Sequence, residues 1–205
     1  MFSLGVPRFG TAVQANKMYL RGISARFVSE MRPSGTHHWV PEFFPAAIQR
    51  VWWHALRGDA IVLVTGTLAP LAEIVRSALE RELLWRGVEA EIPIAATQLA
   101  EHDGYWTGHV LGAPMFGDAK TDAVRQFASS RGVPLSQCFA YGDHALDRPM
   151  LEAVGNRFAV NPTSSLRRIA QRKSWQIVSW GPRSPHPWRD AATRRALKWK
   201  GEAAR

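Results

Sequence analysis

The chain has 205 residues, 46% hydrophobic and 21% charged, which excludes a disordered polymer and suits one good-sized domain with at most a small accessory piece. Its formal charge of +9 arises from 26 Lys and Arg against 17 Asp and Glu, yet residues 166–205 hold 11 of the former and 2 of the latter. The other 15 and 15 cancel, so the folded part carries no basic footprint and a specific nucleic-acid partner is not expected.

Residues 11–31 show a mixed helical pattern with Met18, Ile23, Phe27 and Val28 as its apolar positions. The Pro-, His- and Gly-rich stretch 31–45 reads as a loop, with His37-His38 a polar part of it. A helix opening at Glu42 or Pro45 runs to Leu56, with Phe43, Ala47, Ile48, Val51 and Trp52 on one face. Ala60 to Val64 is a short apolar run of the kind shown by a strand buried on both faces. Thr65-Gly66-Thr67 follows, and then a helix from about Pro70 to Arg86.

Residues 87–116 look β-rich, with Asp103-Gly104 a hairpin turn. Gly117-Asp118 opens a helix to about Ser130, which stops at Gly132. Phe139 to Tyr141 is a strand ending at Gly142-Asp143, Arg148 to Val154 is a helix, and Phe158 to Val160 is a last strand. Strands alternating with helices predict an α/β fold with a parallel sheet. No apolar run approaches about 18 residues, so no membrane-spanning helix is expected. Residues 1–15 lack a signal-peptide pattern and Cys138 is the single cysteine, from which a cytoplasmic location without disulfides is expected.

Three segments then line up at strand or helix ends: Val64-Thr65-Gly66-Thr67, Gly117-Asp118-Ala119-Lys120, and Tyr141-Gly142-Asp143-His144-Ala145-Leu146-Asp147. In this order they resemble motifs II, III and IV of the haloacid dehalogenase superfamily, in the branch (subfamily IB) that includes phosphoserine phosphatases. The similarity extends from about Tyr19 to Trp180 and includes Asp103-Gly104-Tyr105-Trp106-Thr107-Gly108. It implies a Rossmann-like parallel sheet with helices on both faces and a partial helical cap. The domain division it implies is a cap remnant at 1–57, a core at 58–181 and a basic tail at 182–205.

In that family an aspartate attacks a phosphate monoester and the aspartyl-phosphate is then hydrolysed. The resemblance gives Thr65 and Gly66 the role of donating a hydroxyl and a backbone N–H to phosphoryl oxygens. Lys120 would offset charge on the nucleophile and transferring group. Asp143 would be a ligand of Mg2+, and Asp147 would orient water or a ligand in the metal's outer shell. The implied partner is a small phosphorylated substrate or phosphate.

The departures are equally plain. Residues 1–64 contain only Asp59, where the family has two aspartates, nucleophile and general acid, at the end of a first strand. That strand is therefore expected to be absent, the chain to be inactive as written, and the exposed neighbours of the missing strand to drive self-association. The second expectation is a non-catalytic phosphate-binding or interaction protein. His144 stands where the family commonly has a small hydroxyl residue. Trp52-Trp53 and Trp85 read as core or interface, and Asp118 as a helix cap. The tail stripe Trp188, Ala192, Ala196 and Trp199, ringed by Arg and Lys, suits a solvated terminus or weak contact with an anionic membrane.

Overall fold

The computed structural model describes residues 17–26 and 41–182. The first long element, α1 (Pro45–Leu56), opens with Pro at its first turn and closes at Gly58, whose φ of 74° is the left-handed end that glycine accepts. Its stripe of Ile48, Val51, Trp52 and Ala55 packs on Leu79 and Leu83 of α2 (Ala69–Trp85) and on Ile61, Leu63 and Ile92. Between these helices lies β1 (Leu63–Leu68), paired in parallel with β2 (Ile94–Thr97). The strand thus starts later than the apolar run at Ala60 and continues past it to Leu68, because β2 pairs Leu63 to Thr65 and, after a register slip at Gly66-Thr67, Leu68.

β3 (Leu99–His102) and β4 (Tyr105–Val110) form the hairpin, turning at Asp103 and Gly104 with φ of 51° and 81°. Positive φ at both central residues is what a two-residue turn with the twist of its strands requires. The helix expected over 11–31 does not hold for residues 17–24. They make one 3-10 turn at Met18–Leu20 and lie along β4, with Lys17, Gly22 and Ile23 bonded to Gly108 and Trp106. An open strand edge has backbone groups to satisfy, and that demand outweighs a weak helical pattern. Phe27, Val28, His37 and His38 lie outside the described residues, as does the tail beyond Pro182.

A second parallel sheet has the order β5–β6–β7, formed by Phe139–Gly142, Asn156–Val160 and Gln176–Val178. Alternation along the strands gives its faces different characters. Ala140 and Ala159 lie under α4 (Arg148–Ala153) and α5 (Ser164–Arg172), in a core with Met150, Leu151, Val154, Leu166 and Trp175. The other face presents Phe139, Tyr141 and Phe158 to Trp53 and His54 of α1. Helix α3 (Asp118–Ser130) spans both sheets, since its Val124 and the β1 residue Val64 pack on the same core.

This is an α/β fold with parallel strands and helices on both faces. Among the described residues β1 pairs only with β2, and β5 only with β6, so each keeps one edge without a strand partner. Helix α5 and strand β7 escape the pattern reading. The buried positions of α5, Leu166 and Ala170, are too few among its polar residues to make a run.

Candidate phosphate site

The carboxyl end of β5 is held by one side chain. Asp147 is buried at 4% exposure, closing a 3-10 turn (Ala145–Asp147) that follows the strand. Its Oδ2 accepts the backbone N–H groups of Asp143 and His144 at 3.2 Å each, and its Oδ1 lies 2.6 Å from Lys120 Nζ. Gly142 has no side chain for a reason of space: a Cβ there would meet the Asp147 side chain at 2.7 Å. His144 caps the 3-10 turn, its Nδ1 accepting the Leu146 N–H at 3.1 Å. Asp143 is exposed.

Lys120 comes from the first turns of α3 and is itself buried at 7%. Two desolvated opposite charges in contact stabilise each other where either alone would be costly. Asp118 lies in the first turn of α3, where an acid complements the helix dipole, but it forms no side-chain cap; the capping position is Gly117.

The end of β1 is built from neutral groups. Thr65 Oγ1 accepts the Thr67 N–H at 3.1 Å, a bond that uses a lone pair and leaves the hydroxyl proton to donate. Gly66 and Thr67 fall where the ladder slips from Thr65↔Ala96 to Leu68↔Thr97, and the Phe116 ring fills the space a Gly66 side chain would take. The structure thus joins Lys120, Asp143 and Asp147 by direct hydrogen bonds, and links Gly66 to the segment leading into α3 through Phe116. The described hydrogen bond of Thr65 is to Thr67 rather than to Lys120 or Asp143.

A third cluster was not foreseen. His54 is buried, with Nδ1 2.8 Å from Asp59 Oδ2 and Nε2 2.8 Å from the Tyr141 hydroxyl. Burial lowers the His54 pKa, against the pull of Asp59, and burial pushes Tyr141 up to about 12. A neutral His54 donating to Asp59 and accepting from Tyr141 satisfies all three. Asp59 precedes β1, so the one aspartate upstream of Thr65 sits at the amino end of that strand, away from Thr65.

The carboxylates fit a Mg2+ ion poorly. Such an ion takes about six oxygen ligands in a near-octahedral shell, and no group of three or more His, Cys, Asp or Glu among the described residues could hold a metal. Both oxygens of Asp147 are engaged by Lys120 and backbone N–H groups. Asp143 alone is open. Trp85 is 64% exposed, Trp52 packs on the core, and no helix among the described residues is long and apolar enough to cross a membrane.

The Thr-Gly stretch, the buried lysine and the two aspartates lie at strand and helix ends of a parallel α/β fold, where such folds place their ligands. The profile of the haloacid dehalogenase-like hydrolases matches residues 5–152, and the chain belongs to that family. It is 32% identical to the "Inhibition of morphological differentiation protein" of Streptomyces azureus, over 78% of this chain and 54% of that one. It is 33% identical to a "probable phosphatase" of Mycobacterium tuberculosis, over 68% of this chain and 45% of that one. A phosphoserine phosphatase of the same organism is 33% identical, over 60% and 37% of the two chains.

The chain thus spans about half the length, or less, of these curated relatives. A solved structure of a Bordetella pertussis protein of unknown function superposes with a TM-score of 0.58 at 29% identity, covering 77% of this chain and 66% of that one. A probable phosphoserine phosphatase from Vibrio cholerae gives 0.60 at 18% identity, over 95% and 54%, a likeness of fold alone.

Proposed function

We propose that this chain carries the phosphate-binding half of a haloacid dehalogenase-type phosphatase, and that its ligand is a small phosphorylated compound or phosphate itself. The observation that carries the reading is the buried Lys120–Asp147 pair at 2.6 Å, which fixes an ammonium at the strand ends. Thr65 would donate its hydroxyl and Gly66 its N–H to phosphoryl oxygens, while Lys120 offsets their charge. Phosphoryl transfer asks mainly for such positioning and electrostatics.

The chemical step itself needs a nucleophilic carboxylate, and Asp59, bonded to His54, is not placed to act as one. The 205-residue chain therefore binds phosphate with negligible turnover. Magnesium dependence belongs to the same proposal only through Asp143, and no step is assigned to the ion.

Calorimetric titration with inorganic phosphate tests the site. Lys120→Met is expected to weaken binding by about tenfold or more, the loss of one charge-assisted contact. Absence of phosphate binding by the wild-type chain overturns the site. Robust magnesium-dependent hydrolysis of p-nitrophenyl phosphate, lost in Asp143→Asn, overturns the negligible turnover.

A further inference from the structure

Thr97 ends β2, is 1% exposed, and serves two backbone groups far apart in sequence. Its Oγ1 lies 3.0 Å from the Gly66 carbonyl oxygen and 3.1 Å from the Met115 nitrogen. The directions are fixed by valence: the Met115 N–H can only donate, so the single hydroxyl proton goes to Gly66.

The consequence falls on one peptide unit. The Gly66–Thr67 carbonyl is held by Thr97 and its N–H by Thr65 Oγ1 at 3.1 Å, so the plane is pinned at both ends. The pin stands where the β1–β2 ladder slips, a place where strand pairing alone leaves the peptide free to rotate. Its second bond reaches Met115, whose neighbour Phe116 lies against Gly66. From there the chain runs through Gly117 into α3 and Lys120.

We infer that Thr97 is a positioning residue for the phosphate site: its hydroxyl locks the Thr65–Gly66 loop to the segment that delivers Lys120, so that both address one phosphoryl group. The inference rests on the phosphate reading of that site and adds to it a residue outside the three motifs. Valine would fill the same volume but leave the Gly66 carbonyl and the Met115 N–H without this partner.

The test compares Thr97→Val, Thr97→Ala and Thr97→Ser in the full 205-residue chain by two readouts. One is the affinity for inorganic phosphate; the other is amide hydrogen exchange at Thr67 and Met115, with Leu151 and Leu166 as remote references. Expected are a roughly tenfold loss of affinity and faster exchange at Thr67 and Met115 in the Val variant, with the references unchanged. Serine restores both, and alanine repeats the loss should the valine chain not fold. A folded Val or Ala variant that binds phosphate like the wild type overturns the inference, as does unchanged exchange at Thr67 and Met115. A wild-type chain that binds no phosphate overturns the phosphate reading and the positioning role with it, and the exchange data then decide the tether alone.

Discussion

The carboxyl ends of β1 and β5, which belong to two separate parallel sheets, are held by different physics. At β5 the loop is organised by buried charge: Asp147, itself buried, engages the buried Lys120 and two backbone N–H groups. At β1 the loop is organised by neutral bonds, the Thr67 N–H to Thr65 and the Thr97 hydroxyl to the Gly66 carbonyl, on a strand whose residues are all only half-buried. The difference teaches where each can give way. A desolvated ion pair fails abruptly when one partner is lost, whereas a neutral network loses one modest bond at a time.

Removing the carboxylate is the severest way to break that contrast. Asp147→Ala strands a buried ammonium and is expected to cost about 3–5 kcal/mol, read as a large fall in the denaturant midpoint. A loss of under about 1 kcal/mol would mean that the pair behaves as a surface ion pair and that the contrast is false.

Next in size are the strand edges that no described strand pairs. The edges of β1 and β5 that no strand among the described residues pairs have backbone groups that cost about 1–3 kcal/mol each if buried unpaired, against a total margin of about 5–15 kcal/mol. Self-association is therefore expected in light scattering after size exclusion, and a strand-forming segment fused ahead of residue 1 should reduce it. A monodisperse monomer with a sharp thermal transition would refute this.

The His54 cluster sharpens the comparison, because it ties the helix after which β1 begins to β5 itself. The folded pKa of His54 lies below its ordinary value of 6.5, so the unfolded chain binds more protons near that pH. Stability from this group is present above 6.5 and is lost as pH falls through the lowered value. Tyr141, raised from 10 to about 12, contributes the opposite limb: stability is full below 10 and is lost as pH rises toward 12. Thermal melts across this range should show a plateau with two shoulders, and His54→Gln should flatten the acid one. An unaltered acid limb would assign it to other groups.

The smallest effect is at the rim. Arg57 reaches Asp59 at 3.3 Å with half its side chain exposed, so Arg57→Ala is expected to change stability by under about 0.5 kcal/mol. A larger loss would show that Arg57 helps hold Asp59 against His54.

Much of this was legible one segment at a time. Pro45 and Gly58 mark the ends of α1, Asp103-Gly104 the hairpin, and the apolar spacing the faces of α1 and α2, because these depend on local backbone chemistry and periodicity. The order of Thr65, Lys120, Asp143 and Asp147 was readable by resemblance, since a motif keeps the residue types its chemistry needs. What no local pattern could carry was partnership across the chain. Asp147 reads in sequence as a metal's outer-shell group, and nothing local announces that its side chain meets Lys120, 27 residues away. Thr97 reads as a strand residue until its hydroxyl meets Gly66 and Met115, 31 and 18 residues distant. His54 reads as a helix end until Tyr141 meets it, 87 residues on. Hydrogen bonds and desolvation act through short distances in space, so only the folded chain decides which side chain answers which.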